Sequence, residues 1–87
     1  MNTVEPVHEP DNSRFVVRLE SGEAVLVYRL ENGQIVFTHT FVPEAARGMG
    51  IADRLVSAGI DYAKAAGLEP IGECSYVKSW LRHRAKH

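Results

Sequence analysis

Apolar residues alternate with polar ones over the first half of the chain and recur at helical spacing over the second. Between Arg14 and Glu20, Phe15, Val17 and Leu19 share one side while Arg14, Arg18 and Glu20 take the other. A period of two marks a strand. Ser21-Gly22 is a turn signal, and Glu23–Leu30 resumes the alternation with Ala24, Leu26, Tyr28 and Leu30 on one face. Glu31-Asn32-Gly33 follows, and Asn-Gly tolerates the positive φ of a tight hairpin turn. Gln34–Val42 then sets Ile35, Phe37, His39 and Phe41 on one side and Val36, Thr38, Thr40 and Val42 on the other. Together these runs predict an antiparallel meander of three strands.

The period changes after Pro43. Ala52, Leu55, Val56, Gly59, Ile60 and Ala63 fall on one stripe of a helix, with Asp53, Arg54, Ser57, Asp61 and Lys64 on the wet side. Asp53 in the first turn and Lys64 near the end both suit the helix dipole. The helix is expected to begin near Gly50 and to stop at Gly67. Glycine inside a helix costs about 1 kcal/mol relative to alanine, so Gly59 within the apolar stripe predicts a close approach to the sheet. Leu68–Cys74 reads as a short fourth strand, interrupted by Pro70 and Gly72. Ser75 caps a last helix running from Tyr76 to about Arg84, with Val77, Trp80 and Leu81 facing inward. A right-handed crossover through the long helix places strand four parallel to strand three. The fold class is therefore α/β in the mixed, α+β sense. Residues 14–87 form its single domain. Residues 1–13, with Pro6, Pro10, Asp11 and Asn12, are expected to be a flexible lead-in with at most an edge contact near Val7.

Composition narrows the classes of partner. A domain of 87 residues carries a small core, worth roughly 3–5 kcal/mol of net stability. A formal net charge of −1 argues against a general nucleic-acid or anionic-membrane binder. Cys74 is the one cysteine, so no internal disulfide forms. With no signal-like apolar segment, a reduced, cytoplasmic setting is the expectation. His8 and the other histidines show no metal-ligand spacing, and no metal site is expected.

The stretch around which the chain is organised lies between the third strand and the long helix. It reads Val42-Pro43-Glu44-Ala45-Ala46-Arg47-Gly48-Met49-Gly50-Ile51-Ala52. The first turn of a helix has backbone N–H groups without internal partners and the positive end of the dipole. A glycine-rich approach lets an anion come close to those groups. A triphosphate-binding loop would need Lys-Ser or Lys-Thr after its last glycine, where this chain has Ile51. A dinucleotide fingerprint would need a third small residue where Asp53 stands.

Arg47-Gly48-Met49-Gly50-Ile51-Ala52 instead fits the pattern Arg/Gln-x-x-Gly-x-Gly/Ala. It resembles the pyrophosphate loop of the GCN5-related N-acetyltransferases. His39-Thr40-Phe41-Val42-Pro43 before it and Cys74-Ser75-Tyr76-Val77 after it look like a minimal branch of that superfamily, which lacks the early helices of full-sized members. The resemblance covers roughly residues 14 to 84. Two positions depart from the branch pattern: Gly72 stands where many members have proline, and Phe41 where an acidic residue or tyrosine is common.

The resemblance implies an acyltransferase that uses acetyl-coenzyme A and a primary amine acceptor, whether a protein lysine, a polyamine or another small amine. Thr40, Phe41 and Val42 would meet the pantetheine arm of coenzyme A, and Arg47, Gly48, Met49, Gly50, Ile51 and Ala52 its pyrophosphate. Cys74 precedes a helix N-terminus, a position that favours thiolate. It could accept the acyl group covalently, line the slot where the cofactor's own thiol leaves, or serve as a small buried apolar residue. Tyr76 falls where the superfamily often places a tyrosine that protonates the departing thiolate; otherwise its ring packs on the sheet. His39 is the best-placed base by reference pKa, with a satisfied core histidine as the plainer alternative and Glu73 as a second base. The basic C-terminal segment of Lys78, Arg82, His83, Arg84, Lys86 and His87 is either a solvated helix end or a contact for the 3′-phosphate. Neither nucleic acid nor membrane is an expected partner. The exposed edge of the meander allows a monomer or a weak homodimer. Two other functions suit the sequence, a coenzyme A-binding module with little catalysis and a small interaction domain without a cofactor.

Overall fold

A computed structural model describes residues 5–85, with the side chains of positions 84 and 85 left aside. Five strands form one sheet: β1 (Val7–Glu9), β2 (Arg14–Leu19), β3 (Gly22–Glu31), β4 (Gln34–Phe41) and β5 (Glu69–Gly72). They lie in the order β1-β2-β3-β4-β5. The first four are antiparallel neighbours, and β5 pairs with β4 in parallel. Helix α1 (Ile51–Ala66) makes the crossover between β4 and β5, and α2 (Ser75–Ala85) ends the described chain. This is the expected mixed α/β architecture with one strand added at the edge. Among the described residues no helix is long and apolar enough to cross a membrane.

The added strand lies in the expected lead-in. Val7, His8 and Glu9 pair with Val16, Phe15 and Arg14, and a 3-10 turn at Pro10–Asn12 reverses the chain. Prolines and turn residues conceal a three-residue strand because its stabilisation comes from side chains beyond it. His8 stacks on Phe15 with ring centroids 4.3 Å apart and meets Tyr62 of α1 edge-on at 4.4 Å. Its Nε2 shares a 2.6 Å hydrogen bond with the Tyr28 hydroxyl. Burial lowers the pKa of His8 below the ordinary 6.5.

Both helices contribute to one core. Phe15, Val17, Leu26, Tyr28, Ile35 and Phe37 from the sheet meet Ile51, Leu55, Val56, Ile60 and Val77 from the helices. Ile51, rather than the expected Ala52, heads the buried stripe of α1, because the helix begins immediately after Gly50. Steps of four from Ile51 reach Leu55, Gly59 and Ala63. A Cβ at Gly59 would lie 2.8 Å from Phe37 Cε1 and 3.2 Å from Leu26 Cδ2. The helix therefore rests on the Phe37 ring where only a hydrogen fits. Leu30, expected to face inward, is 52% exposed at the far end of β3.

The opposite face of the sheet is covered by ion pairs rather than by a helix. Glu9 accepts from Arg14 Nε and Arg18 Nη2, each at 2.7 Å, and Glu23 lies 3.2 Å from Arg18. Val16 stands between Arg14 and Arg18 on that face and is fully buried. Arg29 reaches both Glu31 at 2.7 Å and Glu73 at 2.9 Å and lies cross-strand from the buried Val36. Exposed pairs of this kind contribute little to stability; long arginine stems can also cover apolar surface.

Two titrations follow from these contacts. His8 binds a proton less readily folded than unfolded, so the unfolded chain takes up more protons as pH falls below about 6.5 and the fold is destabilised. Glu9 is held at about 2 by hydrogen bonds from Arg18, Arg14 and Asn12, so its contribution is present above the ordinary 4.5 and lost as pH falls toward 2. Urea midpoints should therefore decline from roughly pH 8 to pH 5. His8→Phe, which keeps a ring on Phe15, should flatten that decline. An equal decline in the variant would remove His8 as its cause.

Candidate functional site

Parallel pairing between β4 and β5 ends at Phe37 and Gly72. The Phe37 carbonyl then accepts from the backbone N–H of Glu73 at 2.9 Å and of Cys74 at 3.3 Å. Beyond this point β5 turns into α2 while β4 continues to Phe41. Among the described residues, Thr38 to Phe41 thus have no neighbouring strand on the β5 side. The two strands part at this point.

A second irregularity sits at the same place. Tyr28 pairs with Phe37, but Val27 pairs with His39, so Thr38 is an extra residue in β4. Such a bulge reverses the alternation of faces beyond it. Thr40 pairs with the core residue Leu26, and His39 and Phe41 pair with Val27 and Val25 on the opposite face. The expectation that His39 and Phe41 share a face with Phe37 is corrected here. Both are exposed, Phe41 by 44%. Thr40, expected on the other side, instead turns toward the helices and shares a 3.2 Å hydrogen bond with Cys74 Sγ. Cys74 is half-buried and packs on the core.

The loop after β4 is built from backbone conformations that glycine favours. Pro43 is buried, a 3-10 turn covers Glu44–Ala46, and Arg47 Nε donates to the Val42 carbonyl at 3.2 Å. Gly48 has φ 87° and Gly50 φ 76°, both in the left-handed region, and a Cβ on either would meet nothing within 4 Å. Gly50 is the N-cap of α1 and supplies no side-chain cap. The first turn, including Ile51, Ala52 and Asp53, therefore presents backbone N–H groups at the positive end of a 16-residue helix.

These residues border a groove of about 220 Å³, lined by Val42, Arg47, Gly48, Gly50, Ala52 and Tyr76 among others. Its shape and donors fit a pyrophosphate: small residues at the approach, unpaired N–H groups, and a guanidinium at the rim. Met49 is not among the groove-lining residues and is 60% exposed. The structure therefore brings Thr40 to Cys74, and Val42, the glycine loop and Tyr76 to one groove. It leaves His39 on the far side of the sheet. Glu73, the second candidate base, is exposed and bonded to Arg29.

Two residues of this region escape a reading by periodicity. Asp53 reads as a solvated first-turn acid and Trp80 as core, yet Trp80 Nε1 donates to Asp53 Oδ1 at 2.6 Å. Tyr76 lies one turn before Trp80 on α2. Burial first, and then the Asp53 carboxylate, push the Tyr76 phenol above its ordinary 10.0. A second groove of about 270 Å³ runs from Asp53 and Tyr76 past Ser79 and Trp80 to His83. Of the basic C-terminal segment, Lys78, Arg82 and His83 are exposed. Lys86 and His87 lie outside the described residues, as does the Arg84 side chain.

The family model described as GCN5-related N-acetyl-transferase matches residues 14–87. Protein NATD1 of Gallus gallus and that of Mus musculus are each 35% identical over 78 residues, covering 86% of this chain and 71% of theirs. The Homo sapiens protein of the same name is also 35% identical, with 69% of its length covered.

The backbone at Gly50 gives a stability test of the loop. An L-residue in the left-handed region costs about 1–2 kcal/mol, least for asparagine. With open space around the missing Cβ, Gly50→Ala should lose about that amount in urea unfolding, and Gly50→Asn clearly less. Equal stability of all three proteins would contradict the loop conformation.

Proposed function

The chain belongs to the GCN5-related N-acetyltransferase family, and from that membership we propose that it transfers an acyl group from acetyl-coenzyme A to a primary amine. The observation that carries the reading is the uncapped start of α1 behind two left-handed glycines, which suits an anion such as a pyrophosphate. Arg47 adds positive charge at the rim. The open backbone edge from Thr38 to Phe41 would pair with the amides of the pantetheine arm as an added strand, extending toward Val42. When bound, the cofactor supplies an activated thioester carbonyl. The parting of the strands at Phe37 is where that carbonyl would lie.

Around that point the chain offers three groups. A backbone N–H at the parting would stabilise charge on the carbonyl oxygen. Cys74, held by Thr40, either takes the acyl group or lines the path of the leaving sulfur. Tyr76 keeps a proton for that sulfur. The amine must reach the carbonyl uncharged, and a protein lysine, a polyamine or another small amine all satisfy that demand. The same reading implies a cytoplasmic protein, monomeric or weakly dimeric, that needs neither nucleic acid nor membrane.

A second reading, a coenzyme A-binding module with little turnover, draws on one observation. His39 lies on the opposite face from Thr40, Glu73 is engaged by Arg29, and no histidine lines the groove around the loop among the described residues. Acceptor dependence separates the two: thioester loss that ignores added amine favours the module.

Calorimetric titration with coenzyme A tests the loop. Arg47→Glu and Gly50→Trp should each weaken binding at least tenfold, about 1.4 kcal/mol. Unchanged binding in both would remove the loop assignment. Cys74→Ala then separates the two acyl routes. Loss of turnover together with an acyl adduct trapped on the wild-type protein supports transfer through the thiol; full rate without any adduct supports direct attack by the amine.

A further inference from the structure

The hydrogen bond between Trp80 and Asp53 ties the first turn of α1 to α2 beside the groove. Trp80 and Tyr76 are four residues apart and so share a face of α2. Asp53 and Tyr76 line both the loop groove and its continuation toward His83. The tie therefore fixes a carboxylate that lines the same two grooves as the phenol, at the boundary between the cofactor groove and α2. We propose that Asp53, pinned by the Trp80 indole, is a positioning residue that keeps Tyr76 a protonated donor under the alkaline conditions in which the acceptor amine loses its own proton. This rests on the acyltransferase reading above.

The chemistry gives the device a purpose. Attack needs the neutral amine, and a lysine-like amine has a reference pKa near 10.4, while an ordinary tyrosine titrates near 10. With both values unshifted, few molecules hold a free amine and a protonated phenol together. Two positive influences border the same groove, the Arg47 guanidinium and the N-terminal end of α1, and both favour the phenolate. His83, its Nδ1 on the Ser79 carbonyl, lines the second groove with the phenol, and a positive charge there would add the same influence. Asp53 is the acidic side chain that opposes them. A hydrogen bond from the indole fixes its orientation while leaving the charge in place. In the step itself the nitrogen–carbon bond forms and the carbon–sulfur bond breaks, the Tyr76 O–H proton passes to the departing sulfur as a new S–H bond, the phenolate recovers a proton from water, and the nitrogen gives its surplus proton back to that solvent. A nearby carboxylate disfavours the phenolate and speeds that recovery.

The test follows the Tyr76 phenol by carbon-13 NMR of ring-labelled tyrosine, assigned with Tyr76→Phe, in protein without cofactor. Asp53→Asn keeps an oxygen for the indole and removes the charge. It should lower the pH at which the phenol titrates by about half a pH unit or more. Trp80→Phe, which releases Asp53, should shift it in the same direction by less. In turnover, the alkaline limb of kcat should move to lower pH in Asp53→Asn while the KM for acetyl-coenzyme A does not rise. A phenol that titrates unchanged in Asp53→Asn, or a KM that rises while the pH profile stays fixed, overturns the proposal. Calorimetry with coenzyme A separates the possible failures. Absence of binding by the wild-type protein overturns the acyltransferase reading, whereas normal binding with an unmoved phenol overturns only the role of Asp53.

Discussion

The carbonyl of Phe37 accepts from two successive backbone N–H groups, those of Glu73 and Cys74, and β5 leaves the sheet there. The ring of the same residue fills the space that Gly59 leaves open on α1. One position thus holds three elements in register. Its backbone sets where β4 and β5 separate, and its side chain sets how closely α1 approaches. That close approach anchors the helix on β4, so its first turn stays near the strand end from which the glycine loop departs. A larger residue at Gly59 would lift α1 off the sheet and carry the uncapped N-terminus with it.

The bulge at Thr38 makes the second half of β4 into a different surface. Without it Thr40 would face the ion-paired side of the sheet, and Cys74 would lose its hydrogen-bonding neighbour. With it, His39 and Phe41 are turned outward onto a face that no helix among the described residues covers. On that face Val16 and Val36 are buried beside Arg14, Arg18 and Arg29, and the arginines are engaged by Glu9, Glu23, Glu31 and Glu73. A small domain can in this way leave one side of its sheet uncovered and still bury Val16 and Val36.

Much of the frame was legible because its signals are local. Asn32 and Gly33 both take positive φ in the hairpin turn, Gly67 does so at the C-terminal cap of α1, and the helical stripe departs from expectation only in its first residue. The glycine loop was legible for the same reason, since Gly48 and Gly50 each perform a backbone task that can be named from sequence. What was not legible depends on contacts between distant segments. A bulge leaves no mark in an alternating run, so the side of the sheet taken by His39 follows only from its pairing with Val27. The strand Val7–Glu9 owes its place to His8 meeting Phe15, Tyr28 and Tyr62, residues up to 54 positions away. The bond from Trp80 to Asp53 joins two helices whose relative placement no periodicity encodes.

The proposed cofactor site and the bare sheet face make different demands on where a ligand touches the protein. Amide-resolved NMR during a titration with coenzyme A distinguishes them residue by residue. The groove assignment predicts that the largest shifts fall on the amides from Thr38 to Val42, from Gly48 to Asp53, and at Cys74 and Tyr76, with Val16 and Arg29 unmoved. Shifts concentrated on Arg14, Val16, Val25 and Arg29, with the glycine loop silent, would contradict it.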